Sequence, residues 1–424
     1  MRRAISLLII ICMLCPLTAC GSIYSNYREM EQLLVLRTLG FDYSAGGVTL
    51  SLASGADEAH GGSPIRLAVA DTTISAAFDR AQNYSFEQSL FFPHISGVLI
   101  GEASAARGVD ELISYICQSP RLRIDIPIYV VKNGAAAEAV ASTGDDARGI
   151  TEILAGVREY LELRGEDTLI TAAELTRGSL RHGSALACAL ELTPSAELDA
   201  GADDDSEADA AQAEEDLAAG DSAPSPVPAE QPPQRAYTVA AAGYAVFKDL
   251  KLAAYIDLDD ALGVSFLKNH VGRELVVVKD IRGDDVTLEI NAGACDIRPL
   301  WTQEGELRRI DVSARVQASV LEINGTGDLS QAAYAAYLTA QLESYVMERI
   351  NRVLRLSQSL GADFLALGEV VERSDAAAFA RLDAPFSQLL EGMELKLAVT
   401  GKLTHSDDIR QNLGLGDKKG GHAA

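Results

Sequence analysis

A stretch of acidic, alanine-rich and proline-rich sequence from residue 195 to residue 235 most restricts how this 424-residue chain can fold. It contains no aromatic residue, and its prolines fall between Pro224 and Pro233. Such a composition buries too little apolar surface to offset the entropy that is lost on ordering. We therefore expect a disordered, self-repelling linker or inserted loop here, with a cation-binding or partner-binding acidic segment as the alternative.

This segment divides the chain into parts that are long enough to bury cores of their own. The length of the chain suits two or three domains, and we expect an N-terminal domain over 20–194, a middle α/β domain over 236–300 and a C-terminal α/β domain over 301–405. The segment would then fall between the N-terminal domain and the rest of the chain. Glycines and lysines near the C-terminus predict a flexible tail over 406–424.

Apolar periodicity predicts both strands and helices on either side of the segment. From 311 to 323, apolar and polar residues alternate, which is typical of a strand with one buried and one wet face. From about 330 to 360, apolar residues recur at helical spacing and end before Gly361, which predicts a long helix. Further strands are predicted at 33–38, 48–53, 122–131, 186–192, 243–256, 274–281, 286–290 and 395–399, and helices at 109–117 and 150–163. The mixture indicates a multidomain α+β chain whose largely antiparallel or mixed sheets are packed by helices.

The N-terminus has the three parts of an export signal. Two arginines begin it, an apolar run follows, and residues 17–20 read LTAC. This order matches the bacterial lipobox, in which the cysteine receives diacylglycerol and the chain is cut, here between Ala19 and Cys20. We expect a signal peptide over 1–19 and a mature chain that is tethered to the membrane through Cys20 without spanning it. An ordinary signal peptide with an incidental cysteine is the alternative.

The net charge of the chain restricts which partners it can bind. The formal net charge is −25, and so acidic a balance repels both nucleic acid and anionic lipid headgroups. We therefore expect no nucleic-acid partner. We also expect the folded part of the chain to stay away from the membrane surface, although the anchor tethers it there.

The remaining cysteines indicate the redox chemistry of the chain. Cys117, Cys188 and Cys295 are far apart in apolar neighbourhoods, so we expect buried core thiols and no disulfide framework.

No catalytic, metal-binding or nucleotide-binding motif stands out in the sequence. The six histidines are scattered and form neither an HExxH sequence nor a Cys/His pair. No Walker A, GxSxG or dinucleotide-type glycine pattern occurs either. We therefore expect a protein that is not an enzyme and uses no cofactor or metal. A solute-binding lipoprotein that serves a transporter and an extracytoplasmic enzyme are the alternatives.

Several stretches, taken in order, are similar to one known family. In the N-terminal part they are 28–31 with Leu39-Gly40-Phe41-Asp42, Ile100-Gly101-Glu102-Ala103, 108–113, Pro120-Arg121, and the strand at 126–134 with its glycine. In the C-terminal part they are 245–252, which contains Val246-Phe247-Lys248, and Gln358 followed by 361–368 with Ala362-Asp363. Together with the lipobox, these stretches resemble the Ger(x)C family, the C-subunit lipoproteins of spore germinant receptors.

The resemblance implies a non-enzymatic subunit that is built of three mixed α/β domains and anchored on the outer face of the spore inner membrane. It also implies assembly with two polytopic subunits, of the A and B types, that help to sense nutrients. Arg121, Lys248, Gln358 and Asp363 lie in the similar stretches and are candidate interface residues. Structural hydrogen bonding at turns and helix ends is the alternative role for all four.

Overall fold

The computed structural model of the protein describes residues 32–55, 64–84, 88–142, 149–165, 170–194 and 237–404. The predicted signal peptide with Ala19, the anchor residue Cys20, the segment 195–235 and the tail 406–424 all lie outside the described residues. The predicted fold class is confirmed, because the described chain is a mixed α/β structure with two sheets and helices packed against them.

The first sheet contains nine strands, and its centre is parallel. β5 (Gly97–Gly101) and β6 (Ile128–Lys132) are almost completely buried, as expected where helices cover both faces of a parallel sheet. They run parallel to β1 (Leu33–Ser44) on one side and to β7 (Ser184–Pro194) on the other. The sheet is completed by β2 (Gly47–Ser54), β3 (Arg66–Asp71), β4 (Ser89–Phe91), β8 (Tyr237–Lys248) and β9 (Lys251–Ile256).

Helices cover both faces of this sheet. On one face lie α1 (Ile74–Tyr84), α2 (Glu102–Arg107), α3 (Asp110–Gln118) and α6 (Ala172–His182). On the other face lie α4 (Ala136–Ala141) and α5 (Ile150–Leu163). The helix predicted at 150–163 is α5, and its bounds agree with the prediction.

The segment 195–235 joins two strands of this one sheet. β7 and β8 pair antiparallel as far as Pro194 opposite Tyr237, and β9 then extends the same sheet. The structure thus differs from the predicted boundary, because the segment interrupts a hairpin instead of separating the N-terminal domain from the rest. The predicted middle domain over 236–300 is likewise divided between two sheets. The apolar sequence of β8 predicts a strand but does not say which strand it pairs with.

The second sheet consists, in this order, of β10 (Glu274–Lys279), β11 (Asp285–Trp301), β12 (Leu307–Ile323) and β13 (Glu394–Thr404). Alternation over 311–323 is confirmed, since Val312, Ala314 and Val316 are all buried. The long helix is confirmed as α8 (Ala332–Leu360), which ends at Gly361 in a left-handed conformation. The other helices in this part of the chain are α7 (Leu258–Leu267), α9 (Leu367–Ser374), α10 (Ala376–Phe379) and α11 (Phe386–Gly392).

The first sheet packs against the helices of the second sheet. Tyr244 and Val246 of β8 belong to the same apolar cluster as Leu338 and Leu342 of α8. A buried ion pair lies at the same boundary, where Arg164 Nη2 is 2.9 Å from Glu274 Oε1, with side chains 15% and 5% exposed. In the part of the chain that the structure describes, no helix is both long and apolar enough to span a bilayer.

Two local predictions are wrong. The strand expected at 122–131 is limited to β6, because Pro127 has no backbone N–H and forms only an isolated bridge with Thr171. Cys117, near the end of α3, is exposed, whereas Cys188 and Cys295 are buried as expected.

Candidate functional site

Three parallel strands of the first sheet end side by side and form an open crevice. β1 ends just after Asp42, β5 ends at Gly101, and β6 leads into Asn133. The crevice has a volume of about 590 Å³, and we call it the carboxyl-edge crevice. Its lining residues are Asp42, Tyr43, Thr49, Glu102, Ala103, Ser104, Asn133, Gly134, Ala135 and Ala137.

At this crevice the chain leaves neighbouring strands toward opposite faces of the sheet. After β5 the chain enters α2, whose Ala105 belongs to the core on one face. After β6 it enters α4, whose Ala136 and Ala139 belong to the core on the other face. In open α/β sheets, such a switch between the carboxyl ends of adjacent strands is the usual location of a ligand site.

Asp42 connects the end of β1 with the start of α4. Its Oδ1 accepts a hydrogen bond from the N–H of Ala136 at 3.0 Å, and its Oδ2 accepts one from Ala137 at 2.8 Å. Burial raises the pKa of the Asp42 carboxyl group, while these two hydrogen bonds act in the opposite direction. A glycine is required at position 101, because a Cβ there would lie 2.1 Å from Asp42 Oδ1.

Glu102 and Asn133 bring together the ends of β5 and β6. Glu102 is the first residue of α2, and its Oε2 accepts a hydrogen bond from the backbone N–H of Asn133. Asn133 has a φ of 58°, in the left-handed region that asparagine tolerates better than most residues. Burial raises the pKa of the Tyr255 hydroxyl, and the charge of Glu102 acts in the same direction. Glu102 therefore holds the turn after β6 and gives the crevice negative charge.

Tyr43 is held in place through both its backbone and its ring. Its N–H donates to Ser104 Oγ at 2.7 Å, and the guanidinium carbon of Arg107 lies 4.0 Å from the ring centroid. Its hydroxyl donates to Glu111 Oε2 at 3.4 Å. Burial, followed by the charge of Glu111, raises the pKa of the Tyr43 hydroxyl to about 12, so this group stays neutral and keeps its donor.

Two of the four candidate interface residues, Lys248 and Gln358, form hydrogen bonds at the end of the long helix. Lys248 Nζ donates to the carbonyl of Leu360, the last residue of α8. Gln358 Nε2 donates to the carbonyls of Leu390 at 3.1 Å and Met393 at 2.8 Å, and so ties α8 to the end of α11. Both side chains bond backbone groups at helix ends, and an interface role for them stays a prediction.

Asp363 is 1% exposed and stabilises the start of α9. Its Oδ1 accepts the N–H of Leu367 at 2.7 Å, and its Oδ2 accepts the N–H of Gly368 at 2.8 Å. Burial raises the pKa of Asp363 to about 6, although the Gly368 hydrogen bond and nearby His182 lower it. His182 ends α6, so Asp363 faces a titratable group from the first sheet's helices.

Further ionic contacts join the ends of α6 and α9. His182 Nε2 lies 3.2 Å from Glu369 Oε1, and Arg181 contacts Glu369 at 3.5 Å and Glu372 at 2.9 Å. Because Arg181 and Glu372 are about half exposed, that pair adds little stability. We call Arg181, His182, Asp363, Glu369 and Glu372 the α6–α9 junction, and a cavity of about 200 Å³ lies beside it.

The remaining predicted site residues lie elsewhere. Arg121 Nη2 pairs with Asp79 Oδ1 of α1 at 2.8 Å, and both side chains are exposed. Ala19 and Cys20 lie outside the described residues, so cleavage and lipid attachment stay predictions. Within the described residues, no group of three or more His, Cys, Asp or Glu side chains is placed to hold a metal ion.

Sequence reasoning did not select Asp42, Glu102, Asn133 or His182 as site residues. Asp42 and Glu102 both lie at the carboxyl ends of apolar strands, and that position could have marked them. His182 carried no such signal, because its contact with Asp363 depends on how α6 packs against the second sheet's helices.

Comparisons with known proteins cover both halves of the chain. A family model described as "Spore germination protein N-terminal domain" matches residues 26–162, and one described as "Spore germination B3/ GerAC like, C-terminal" matches residues 242–407. A solved structure titled "Crystal Structure of the GerBC protein" has a similar fold, with a TM-score of 0.53 and 13% identity over 86% of this chain and 96% of that chain. A search of curated proteins found no match.

Proposed function

Since the chain belongs to the GerAC-like family of spore germination proteins, we propose that it is the lipid-anchored C subunit of a nutrient germinant receptor. The observation that carries this proposal is the match of two family models in the correct order, one on each side of the segment 195–235. A fold similar to that of GerBC supports it.

Diacylglycerol on Cys20 holds this subunit on the outer face of the spore inner membrane. The LTAC sequence at 17–20 supports the modification. Two acyl chains hold a protein durably, because each buried methylene contributes about 0.8 kcal/mol. The net charge of −25 opposes adsorption of the body to anionic lipid, so the covalent anchor supplies the attachment.

The subunit acts in assembly and signalling and does not catalyse a reaction. Its partners are two polytopic subunits of the A and B types. The use of these ionisable groups supports this role, because Asp42 and Asp363 accept hydrogen bonds from backbone N–H groups and Lys248 donates one to a backbone carbonyl. Side chains that bond backbone groups in this way hold helices in place against sheets. A folded part that is held in this way suits a subunit on which partner subunits assemble.

A solute-binding lipoprotein remains the alternative from another class. That class binds its solute between two similar lobes, whereas the two sheets formed by the described residues have nine and four strands. The neighbouring genes discriminate between the two classes. Two genes for polytopic membrane proteins are expected beside this one, and genes for a transporter permease and ATPase would contradict the receptor.

Fatty-acid labelling combined with germination assays tests the proposal. In a strain that lacks other nutrient receptors, we expect labelled palmitate to enter the wild-type chain and the Cys15→Ala control but not Cys20→Ala. Spores without the chain should fail to germinate on the nutrient. Palmitate incorporation into Cys20→Ala would contradict the anchor, and normal nutrient germination without the chain would contradict the receptor role.

A further inference from the structure

We propose that the carboxyl-edge crevice binds a small organic cation, namely a protonated amine with a short apolar body. This site is separate from the α6–α9 junction and does not depend on how the subunit meets its partners.

The size and position of the crevice suit a small ligand. Its volume of about 590 Å³ lies within the range of roughly 300–1,000 Å³ that is usual for ligand pockets. It opens where the ends of β5 and β6 lead into α2 and α4 on opposite faces of the sheet. In open α/β sheets this is the place where ligands bind.

The crevice is formed before any ligand arrives. Asp42 is fixed by the N–H groups of Ala136 and Ala137, and Glu102 is fixed by the N–H of Asn133. Gly101 allows the end of β5 to approach this group closely. A preformed site loses little conformational entropy on binding.

The lining selects for positive charge. It includes the carboxyl groups of Asp42 and Glu102 and contains no lysine, arginine or histidine. Each ionised carboxylate has roughly four acceptor positions. Backbone N–H groups use one on each oxygen of Asp42, and the Asn133 N–H and the Tyr255 hydroxyl use two on Glu102. Acceptor capacity therefore remains for an ammonium group.

Burial of Asp42 gives an ammonium group a further advantage. The Asp42 carboxyl group is partly removed from water, and this burial raises its pKa, while the hydrogen bonds from Ala136 and Ala137 lower it. An opposite charge at hydrogen-bonding distance would replace the lost hydration and lower that pKa. Binding of a cation should therefore be weaker in acid, where Asp42 becomes protonated.

Apolar groups beside these carboxylates define the body of the ligand. Ala103, Ala135, Ala137 and Tyr43 also belong to the lining. These groups can cover a chain of a few methylenes. A divalent metal ion fits less well, because calcium needs about six to eight oxygen ligands and magnesium about six, and the described residues include no group of three or more candidate ligands.

Calorimetric titration of the full-length chain in detergent micelles tests this site. The probes are n-butylammonium chloride and, as the uncharged match, n-butanol. We expect saturable binding of n-butylammonium at one site and at least about tenfold weaker binding of n-butanol, since only the amine donates charge-assisted hydrogen bonds. Equal binding of the two probes, or no saturable binding of the amine, would overturn the proposal.

Amino-acid substitutions test whether the amine binds in the carboxyl-edge crevice. Glu102→Gln removes one charge with little change of shape and should weaken amine binding about tenfold, whereas Glu322→Gln, on β12 of the second sheet, should not. Ala137→Leu places a larger apolar side chain in the lining and should weaken amine binding, and thermal unfolding checks that this variant is folded. Unchanged binding in folded Ala137→Leu, or in Glu102→Gln, would overturn the assignment to this crevice.

Discussion

Nδ1 of His182 lies 3.5 Å from Oδ2 of Asp363, so the end of a helix on the first sheet faces a buried acid of the second sheet's helices. Around this pair are Glu369 and Glu372 from α9 and Arg181 from α6. The neighbouring cavity adds Glu174, Arg177 and Lys268. A protonated imidazole donates to both Asp363 and Glu369, whereas a neutral one has a single N–H.

We expect Asp363 to make stability depend on pH. The pKa of Asp363 is about 6 in the folded chain, above the ordinary value of 3.8. Between these two pH values, the folded state therefore keeps a proton on Asp363 that the unfolded chain has lost. The stabilising contribution is therefore full below about pH 4 and lost as pH rises through about 6, and it is on the order of 3 kcal/mol.

Urea unfolding at several pH values measures this contribution. The unfolding free energy of the wild type minus that of Asp363→Asn should decrease as pH rises from about 4 to about 7. The same difference for exposed Asp383→Asn should change much less. A difference for Asp363→Asn that does not vary with pH would contradict this role.

Gln358→Leu should destabilise the contact between α8 and α11. The substitution removes the donor that now serves the carbonyls of Leu390 and Met393. We expect a loss of about 1–3 kcal/mol in unfolding free energy, as is usual when a half-buried polar group loses its partner. Gln388→Leu, on the exposed side of α11, is the control and should change stability by less than about 0.5 kcal/mol. Equal effects of the two substitutions would rule out the proposed bonds.

Gly101→Ala should destabilise the first sheet. The new Cβ would lie 2.1 Å from Asp42 Oδ1 and 3.0 Å from the N atom of Ala136, so either the carboxyl group or α4 must move. We expect a loss of about 1–3 kcal/mol, as for other overpacked sites. Gly156→Ala, in the middle of α5, meets no atom within 4 Å and should instead stabilise by roughly 0.5–1 kcal/mol. The opposite signs can be read from thermal unfolding, and a stabilised Gly101→Ala would contradict the observed packing.

Deletion of residues 200–233 should leave the fold intact. The deletion shortens the connection between the paired ends of β7 and β8, Pro194 and Tyr237. Each halving of a flexible loop saves about 0.6 kcal/mol of closure entropy, so stability should rise by roughly 1 kcal/mol. A large fall in the unfolding temperature would mean that the segment forms contacts on which the fold depends.

The sequence predicted long, regular elements better than it predicted their partners. The bounds of α5 and the position of α8 could be read from helical spacing, because each helix repeats its apolar stripe over several turns. The pairing of β7 with β8 could not be predicted, because it joins residues across the segment 195–235. Alternation reports which face of a strand is buried and not which strand lies beside it.

The candidate site could likewise be predicted only in part, because the sequence indicates its residues better than their proximity. Asp42 and the stretch around Glu102 were noticed for their resemblance to a family, but their proximity depends on the order β1-β5-β6 in the sheet. The helices that border the crevice, α2 and α4, have six residues each, too few to show a helical period. Asp363 was noticed in the same way, while His182 depends entirely on tertiary packing.

Affinity purification from the detergent-solubilised inner membrane of spores tests the central proposal most directly. With a tag at the C-terminus of the chain, mass spectrometry should identify two polytopic membrane proteins in comparable amounts and a mature N-terminus at diacylglyceryl-Cys20. Purification of the chain without polytopic partners, from membranes in which it is abundant, would contradict its assignment as a germinant receptor subunit.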